Sequence, residues 1–421
     1  MRIRRGRREF FGTVRNLVAT GGLAGFARSA PAAARAGAEE GEDYYEKLGV
    51  TKIINAAGTY TALTASIMPP PVQAAVARAA KHPVRLSDLQ KASGEYIAKK
   101  LKSEAALVSD GASSALTLGC AAAVMVANKC GIRDIPNNVA GMKNEVLIQK
   151  DHRYGYDQGL LCCGIRFVEV QTLDDYKSAF TDKTVLAHFY NASEKGEIGR
   201  EDWIRVAREH HVPTFNDAAA DVPPISNLWN YTQMGFDLVT FSGGKGIRGP
   251  LNAGLLLGRR DLIEAASRNN NPYDGVGRGQ KVSKEQIVGM VAAVDWFLSQ
   301  SDEGFETEFR RRAERIAKEV KSIPSVETEV VIPPVANHVP HLLIRYDPNQ
   351  VKISGRGVLE ELRKGSPSIE LNPSTGSTRG ASAGIPSGPN TIVVGVWMLQ
   401  PGEDLVVGRR LHEVLSKASK A

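Results

Sequence analysis

A lysine on a glycine-rich turn is the residue of this sequence best placed for covalent chemistry. Residues 237–250 have the sequence DLVTFSGGKGIRGP, so a buried strand ends in a loop that contains Ser242 and Lys245. Ligands of α/β sheets bind outside the carboxyl ends of the strands, and glycines let the backbone approach them closely. We expect the Lys245 amine to form a Schiff base with an aldehyde cofactor while Ser242 donates to its phosphate. A solvated lysine on a flexible turn is the alternative for this motif alone.

An aspartate upstream of the lysine suits the same cofactor. Residues 212–216 form a predicted strand that ends at Asp217, and three alanines follow. A carboxylate there can pair with the pyridine nitrogen of pyridoxal 5′-phosphate (PLP) and keep the ring protonated, so that the ring accepts electrons. The alanines leave room for the flat ring. Taken alone, Asp217 could equally cap the N-terminus of a helix.

A third candidate is the loop 109–114, with the sequence SDGASS, which leads into an apolar helix. The N-terminus of a helix binds phosphate through its free backbone N–H groups and its dipole. We expect Gly111, Ala112 and Ser113 to supply those groups. Capping of the helix by the preceding serine or aspartate is the alternative.

Two further polar residues follow predicted strands. His152 comes after the strand 145–149, and its imidazole could stack on the cofactor ring, with a structural histidine as the alternative. Asn191 follows the strand 185–190 and could donate to the phenolic oxygen of the cofactor. The chain therefore presents a phosphate loop, a stacking group, an aspartate and a lysine in that order.

Strands and helices must alternate to bring these residues to one edge of a sheet. Between residues 105 and 257 short apolar strands alternate with helices, which is the pattern of a mostly parallel sheet covered on both faces. After a charged helix at 302–320 the pattern changes to short strands and two helices, which predicts a small α+β domain. We therefore predict an α/β large domain at residues 37–300, with an N-terminal arm, and a C-terminal domain at residues 301–421.

The positive charge of the chain is concentrated at its N-terminus. The net charge is +7, and residues 1–36 contain eight arginines and a single acidic residue, Glu9. The remainder is balanced, with 45 basic and 45 acidic side chains. Because the part expected to fold is neutral, a nucleic-acid partner gains little support from the overall charge.

The same N-terminal segment has the features of an export signal. Arg7 and Arg8 form a twin-arginine pattern, a weakly apolar stretch follows at 17–27, and an A-x-A cleavage pattern stands at 34–36. The apolar stretch is too short to span a bilayer. We predict a twin-arginine signal at 1–36 and a periplasmic protein. A disordered basic arm is the alternative, and the protein would be cytoplasmic if the signal is not used.

The four cysteines predict neither a disulfide framework nor a metal site. They lie at positions 120, 130, 162 and 163, and no C-x-x-C spacing occurs. Buried small residues are therefore the simpler interpretation.

The local sequences resemble those of fold-type I PLP enzymes, whose large domain has an aminotransferase-like, mostly parallel sheet beside a small α+β domain. Within that class they are similar to the selenocysteine synthase (SelA)-like group, which includes D-glucosaminate-6-phosphate ammonia-lyase. The resemblance covers nearly all of the chain after the signal. It is carried by the stretches at residues 54–59, 109–115, 152–157, 217–220 and 242–250.

The resemblance implies a role for each matching residue. Lys245 becomes the Schiff-base lysine, Asp217 the pyridinium partner and His152 the stacking group. The phosphate cradle would consist of Gly111, Ala112, Ser113 and Ser242. Arg248 is a further contact to phosphate or substrate. The resemblance also implies a homo-oligomer, a dimer or a ring of dimers, with the active site at the subunit interface.

The function expected from this resemblance is a PLP-dependent lyase. It would eliminate a β-leaving group from an amino acid or amino sugar acid and release ammonia. Arg379 is the best candidate for the substrate carboxylate, although a plain loop arginine is equally consistent. An export signal stands where tRNA-dependent selenium transferases carry a tRNA domain, which disfavours selenocysteine synthesis. An aminotransferase, a sulfur or selenium transferase, and a non-catalytic binding protein with the cofactor fold remain as alternatives.

Overall fold

The computed structural model of the chain describes residues 41–193, 196–378 and 384–420. The predicted signal at 1–36 and the candidate substrate ligand Arg379 lie outside the described residues. The chain divides into two compact units, Met1–Thr51 and Lys52–Ala421. The described part of the first unit contains one short helix, α1 (Tyr44–Lys47), which the Asp43 carboxylate caps at its N-terminus.

The second unit contains the elements predicted to position the site. Its described strands are β1 (Ile53–Ala56), β2 (Ala105–Ser109), β3 (Glu145–Gln149), β4 (Arg166–Val170), β5 (Thr184–Tyr190), β6 (Thr214–Asp217), β7 (Leu238–Ser242), β8 (Gly254–Gly258), β9 (Glu327–Val331), β10 (His341–Arg345), β11 (Ser368–Leu371) and β12 (Thr391–Gly395). Its described α-helices are α2 (Pro70–Ala80), α3 (Leu86–Leu101), α4 (Gly111–Asn128), α5 (Asp157–Leu161), α6 (Leu173–Ser178), α7 (Arg200–Glu209), α8 (Asn227–Met234), α9 (Arg260–Asn269), α10 (Lys284–Leu298), α11 (Asp302–Val320), α12 (Gly355–Lys364) and α13 (Glu403–Ser419). Short 3₁₀ turns occupy Thr61–Leu63, Lys150–His152 and Val396–Met398.

Seven strands form one sheet in the order β2-β8-β7-β6-β5-β3-β4. The strands β3 to β7 pair in parallel, while β8 runs antiparallel to both β2 and β7. The predicted α/β class with a mostly parallel sheet is confirmed. The register sets Tyr190 opposite Asp217, and Asp217 opposite Thr240. The carboxyl ends of β5, β6 and β7 therefore meet at one edge of the sheet.

Both faces of this sheet are covered, as a parallel sheet requires. One face packs its side chains, including Phe215, against the alanine-rich helix α4 and against α9. The opposite face, which includes Val239 and Phe241, contributes to a cluster with residues of α7 and α10. Helix α4 comes very close to the sheet because it has Gly119, where a Cβ would lie 2.5 Å from the Phe215 ring. Among the described helices α4 alone has the length and composition to cross a membrane, and 67% of it is buried inside the protein.

The C-terminal strands form separate small sheets. Strands β9, β10 and β12 make an antiparallel sheet in the order β12-β10-β9, and α11, α12 and α13 pack with them in one apolar cluster. Strand β1, which the sequence analysis assigned to the large domain, pairs in parallel with β11. Its Ile54 and Ala56 belong to the same C-terminal cluster. The chain thus enters the C-terminal cluster before it builds the main sheet, while the boundary at residues 300 and 301 stays a prediction.

The sequence predicts four buried cysteines, but only two of the four are buried. Cys120 and Cys163 are buried, but Cys130 is partly exposed and Cys162 is exposed at the surface. In the described ranges all four are free thiols. The same ranges hold no cluster of three histidine, cysteine, aspartate or glutamate side chains arranged to bind a metal.

Candidate active site

Three loops meet at the carboxyl ends of β5, β6 and β7, and backbone hydrogen bonds join them. The Asn191 N–H donates to the Asp217 carbonyl at 3.1 Å. The Ala218 N–H donates to the Thr240 carbonyl at 3.1 Å, and the Ser242 N–H donates to the Ala219 carbonyl at 3.3 Å. The structure therefore brings together three residues that the sequence singled out, although they lie more than twenty positions apart.

The turn that carries Lys245 needs its glycines. A Cβ on Gly246 would lie 2.0 Å from the Val222 carbonyl oxygen, and one on Gly244 would lie 2.7 Å from that of Leu251. Lys245 lines a cavity of about 220 Å³. Burial lowers the pKa of its amine, and the negative charges of Asp217 and Asp221 only partly oppose that shift. Burial thus makes the neutral, nucleophilic form of this amine easier to reach than it is for an exposed lysine.

Asp217 is buried at the end of β6, with each carboxylate oxygen held by a donor. The Ala219 N–H donates to Oδ1 at 3.0 Å, and the Tyr154 hydroxyl donates to Oδ2. Burial raises the pKa of Asp217, while these two hydrogen bonds and the charge of Lys245 act in the opposite direction. No described helix begins at Asp217, so the alternative of a helix cap is wrong.

Tyr154 is a site residue whose role the sequence analysis missed. Its ring stacks on that of Tyr190 with the centroids 4.0 Å apart and the planes at 22°. Burial, and then the charge of Asp217, raise the pKa of Tyr154 far above its usual value, so its hydroxyl stays protonated and donates. The histidine-containing motif at residues 152–157 pointed to this segment, but nothing in a linear sequence identifies Asp217 as the partner.

Asp221 is a second carboxylate near the lysine, four residues after Asp217. The Asn191 amide donates to Asp221 and to the Tyr231 hydroxyl, the latter at 2.8 Å, and Arg200 donates to the Asn191 amide oxygen. Asn191, predicted to contact a cofactor oxygen, therefore has both ends of its amide engaged within the protein. Burial raises the pKa of Asp221 to about 6. Its Oδ1 has no partner in the described part of the chain.

The start of α4 matches the requirements of an anion site. The helix begins at Gly111, whose backbone φ of 81° is an angle that residues other than glycine rarely adopt. No side chain caps the helix, so the capping alternative is wrong. The Asp110 carboxylate instead accepts from Asn252 and Gln286. The N–H groups of the first turn, those of Gly111, Ala112 and Ser113, are the ones that a helix leaves without intrahelical acceptors.

His152 has surroundings that differ from those expected. His152 is buried, and its Nδ1 accepts from the Tyr190 N–H at 3.2 Å. Its ring meets Phe189 edge-on at 4.6 Å. The predicted stacking of His152 on the cofactor ring would need an open face of the imidazole, which the structure does not provide. The aromatic residue of this motif that lines the cavity is Tyr156.

Arg248 connects the lysine turn to the C-terminal part of the chain. Its guanidinium donates to the Trp397 carbonyl at 2.6 Å and lies 5.8 Å from the ring centroid of Trp296. Burial lowers the pKa of Arg248 to about 10. Arg248 was expected to contact phosphate or substrate, whereas here it holds Trp397, which lines the Lys245 cavity.

The remaining wall of the cavity comes from segments far from the lysine in sequence. It includes residues 57–61, three residues of the loop 333–338 (Pro333, Ala336 and Asn337), His341, Asn372 and Trp397. Burial lowers the pKa of His341 to about 4, so this histidine is neutral at pH 7. Among the described residues that line the cavity, only Lys245 can carry a charge at neutral pH.

These features together fit PLP. The cavity presents an amine of depressed pKa, and a carboxylate kept by two donors stands at the neighbouring strand end. The helix that follows β2 begins without a side-chain cap. A cofactor with an aldehyde, a basic ring nitrogen and a phosphate requires these three kinds of group.

Comparison with known proteins extends this result. The family model described as "SelA: L-seryl-tRNA selenium transferase" matches residues 53–339. A D-glucosaminate-6-phosphate ammonia lyase of Salmonella typhimurium is 26% identical over 337 residues, 77% of this chain and 88% of that protein. A 5′-C-glycyluridine monooxygenase-decarboxylase of a Streptomyces species is 28% identical over 342 residues, 78% of this chain and 83% of that protein. A solved structure of D-glucosaminate-6-phosphate ammonia-lyase superposes with a TM-score of 0.74 at 25% identity, covering 90% of this chain and 100% of the other.

Proposed function

The chain belongs to the SelA (L-seryl-tRNA selenium transferase) family, and on that premise we propose that it is a PLP-dependent lyase of amino acids or amino sugar acids. The similarity to a D-glucosaminate-6-phosphate ammonia lyase, in sequence and in fold, supports the lyase assignment. The observation that carries the proposal is that the buried amine of Lys245, whose pKa is lowered, lies close enough to Asp217 to respond to the charge of that donor-supported carboxylate.

Each part of the cofactor has a candidate partner in this chain. Lys245 Nζ would hold the aldehyde carbon covalently, and Asp217 would pair with the ring nitrogen. The N–H groups of Gly111, Ala112 and Ser113 would receive the phosphate, with Ser242 as a further donor. When bound, PLP supplies an electrophilic carbon for the substrate amine and a ring that accepts electrons from the α-carbon.

The protein's own groups supply the proton chemistry. Because burial favours its neutral form, Lys245 Nζ can accept a proton from the substrate α-carbon. The hydrogen bond from Tyr154 favours the ionised form of Asp217, and an ionised Asp217 would keep a ring nitrogen opposite it protonated. Loss of the β-substituent would leave an enamine, and hydrolysis of that enamine by water would give a keto acid and ammonia.

Two alternatives have different chemical requirements. An aminotransferase would release no ammonia and would need a keto acid as acceptor. A tRNA-dependent selenium transferase must hold a polyanion, whereas the chain after residue 36 is balanced at 45 basic and 45 acidic side chains.

The first experiment is covalent trapping of the cofactor. The protein is purified with PLP, reduced with borohydride, digested and mapped by mass spectrometry, with Lys143→Ala as an exposed-lysine control. We expect the pyridoxyl group on Lys245 in both the unaltered protein and the control. A protein without a reducible adduct, or with the adduct on another lysine, would refute the proposal.

A second experiment separates the reaction types. D-glucosaminate, D-glucosaminate 6-phosphate and D-serine are each incubated with the enzyme, and ammonia is measured with and without added pyruvate. Ammonia release that does not depend on pyruvate supports a lyase. Product formation only with pyruvate would identify an aminotransferase.

We also propose that the protein is exported through the signal at residues 1–36. The concentration of arginine in that segment, with Arg7 and Arg8 adjacent, supports export. Replacement of both by lysine should retain the protein in the cytoplasm in cell fractionation. Equal periplasmic yield for the unaltered and altered proteins would contradict this proposal.

We further propose that the enzyme is a homo-oligomer with its cavity near the interface. Tyr60 and Tyr156, which line the cavity, are 39% and 53% exposed, and such aromatic surface is typical of residues that a partner covers. Light scattering on the purified protein should give at least twice the chain mass of 45.4 kDa. A monomeric mass would contradict the proposal.

A further inference from the structure

A tyrosine shares the cavity with Lys245 and has no role in the proton chemistry of Lys245 and Asp217. Tyr60 lines the cavity and is not buried, so its side chain is open to a ligand there. It stands immediately before the 3₁₀ turn Thr61–Leu63, in the loop that joins β1 to α2. The hydroxyl of a tyrosine can donate a proton as well as a hydrogen bond.

The loop that carries Tyr60 is fixed by hydrogen bonds, and one of them reaches the lysine turn. The Asn55 amide donates to the Ala65 carbonyl at 3.3 Å, and the Ala65 N–H donates to the Tyr60 carbonyl at 3.0 Å. The hydroxyl of the next residue, Ser66, donates to the Gly244 carbonyl at 2.7 Å. Because Gly244 directly precedes the lysine, the tyrosine and the lysine are held by one connected set of contacts.

The Tyr60 hydroxyl has an amide donor beside it. The Asn372 amide oxygen accepts from the Ser374 N–H at 2.9 Å, and the amide nitrogen donates to the Ala57 carbonyl at 3.1 Å. These two contacts fix which end of the amide is the donor, and its second N–H is left to serve Tyr60. Burial raises the pKa of Tyr60, and the hydrogen bond from Asn372 opposes that shift. Since the phenol oxygen accepts there, its own proton can be given to a ligand.

The other described groups of the cavity are poorer proton donors. The His341 imidazole is neutral at pH 7, and its Nδ1–H donates to the Val339 carbonyl at 2.8 Å. The threonine hydroxyls, the asparagine amides and the indole of Trp397 are far less acidic than a phenol. The second phenol of the lining, that of Tyr156, is the alternative that an experiment must separate from Tyr60.

An elimination needs a proton donor when its leaving group is a hydroxyl. As the electron pair of the Cα–H bond forms the new C=C bond, the pair of the C–O bond departs with the oxygen, and free hydroxide leaves poorly. Transfer of the Tyr60 proton to that oxygen lets it depart as water. The α-proton held by Lys245 then passes to the phenolate through water in the cavity, which restores both groups.

From these observations we propose that Tyr60 is a catalytic residue, the general acid that protonates the departing β-oxygen, and that Asn372 is the residue that positions its hydroxyl. The inference rests on the proposed function, because it adds a second proton transfer to the same elimination. That transfer is one that neither Lys245 nor Asp217 supplies.

The test compares two rates on the same substrate. The PLP-loaded enzyme is incubated in D₂O with D-glucosaminate, D-glucosaminate 6-phosphate or D-serine, and α-deuterium in the remaining substrate is measured beside ammonia release. Exchange reports removal of the α-proton by Lys245, whereas ammonia reports departure of the leaving group. Tyr60→Phe should lower ammonia release about 10²-fold and raise the ratio of exchange to ammonia release at least about tenfold.

A leaving group that needs no proton gives an independent measurement. β-Chloro-D-alanine differs from D-serine only in its β-substituent, and chloride departs without a general acid. Tyr60→Phe should therefore slow ammonia release from β-chloro-D-alanine by less than about threefold. Binding of D-alanine, which has no leaving group, is followed through the cofactor absorbance, and its dissociation constant should stay within about twofold.

Three further variants separate the general acid from its surroundings. Asn372→Ala keeps the phenol but removes its donor, so the exchange ratio should rise by a smaller factor. Tyr156→Phe removes the other phenol of the cavity and should not reproduce the rise. Tyr273→Phe, at an exposed position outside this cavity, should match the unaltered enzyme. Each variant is first examined for the borohydride adduct on Lys245.

The outcomes distinguish this inference from the proposed function. Absence of the Lys245 adduct in the unaltered enzyme, or of ammonia from all three hydroxyl substrates, refutes the proposed function. Equal loss of exchange and ammonia release in Tyr60→Phe, or equal slowing of the chloride and hydroxyl substrates, overturns only the inference. A raised exchange ratio in Tyr156→Phe alone would move the role to that residue, and loss of the adduct in Tyr60→Phe would mean that Tyr60 supports the cofactor site instead.

Discussion

The two walls of the Lys245 cavity differ in origin and in chemistry. The sheet wall is formed by Lys245. The charges of Asp217, at the end of β6, and of Asp221, four residues later, act on the Lys245 amine from outside the cavity lining. The opposite wall combines segments that lie far apart in sequence, namely residues 57–61, three residues of the loop 333–338 (Pro333, Ala336 and Asn337), His341, Asn372 and Trp397. The first wall concentrates buried charge, while the second presents neutral hydrogen-bonding groups.

This difference separates the two proton transfers of the proposed reaction. Changes of charge should act through the sheet wall and alter removal of the α-proton, and changes of polarity in the opposite wall should alter departure of the leaving group. Arg248 connects the two walls, since it follows Lys245 on the turn and donates to the Trp397 carbonyl. The variants below test the separation, beginning with the largest expected effect.

Removal of the lysine amine should abolish the reaction. Lys245→Ala deletes both the covalent anchor and the proton acceptor, so we expect turnover to fall by at least about 10⁴-fold. Ammonia release measures the effect, circular dichroism verifies the fold, and Lys143→Ala serves as the control. Residual activity above about one per cent would mean that another group carries the chemistry.

Neutralisation of the first carboxylate should cost less. Asp217→Asn keeps the shape of the side chain but removes the charge that would keep a ring nitrogen protonated, so turnover should fall about 10²- to 10³-fold. Because burial raises the pKa of Asp217, the variant should unfold at no lower urea concentration than the unaltered protein. Asp182→Asn, at an exposed position, is the control. Unchanged turnover would remove Asp217 from the mechanism.

The sequence revealed the sheet wall far better than the opposite wall. Lys245 and Asp217 can be recognised as site residues from the sequence because each stands at the end of an apolar strand beside glycines or alanines, which is a local pattern. Tyr154, Asp221 and Tyr60 have no such signal, since their roles come from partners on other loops. Strand β11 was missed for the same reason, because four residues form a strand there only by pairing with β1.

Loss of the Tyr154 hydroxyl should have an intermediate effect that depends on pH. Tyr154→Phe removes a donor that favours the charged form of Asp217, so the pKa of Asp217 should rise. As the pH is lowered, the variant should therefore lose activity earlier, at a higher pH than the unaltered enzyme. We expect turnover to be lowered about tenfold at the acidic end of the profile and less at its alkaline end. A pH profile of turnover tests this, with Tyr273→Phe as control. A loss that is equal at all pH values would indicate a purely structural role.

The second carboxylate should affect stability. Burial raises the pKa of Asp221 from 3.8 to about 6, so the folded state binds more protons than the unfolded state between these values. The free energy of unfolding should therefore fall by about 2 kcal/mol through this group as the pH rises from 4 to 6. Asp221→Asn should lack that fall in urea titrations at the two pH values. An identical pH dependence in the variant would contradict the buried, protonated state of Asp221.

The smallest expected effect belongs to the opposite wall and has the opposite sign. Burial lowers the pKa of His341 from 6.5 to about 4, and its Nδ1–H donates to the Val339 carbonyl at 2.8 Å. The unfolded state therefore binds a proton first, and the free energy of unfolding should fall by about 0.7 kcal/mol through this group between pH 7 and pH 6. His341→Gln should lack that fall, whereas His82→Gln, at an exposed position, should retain it. If the free energy of unfolding fell by the same amount between pH 7 and pH 6 in both variants, the His341 imidazole would bind a proton as readily in the folded protein as in the unfolded chain. The contrast between a charged sheet wall and a neutral opposite wall would then no longer hold.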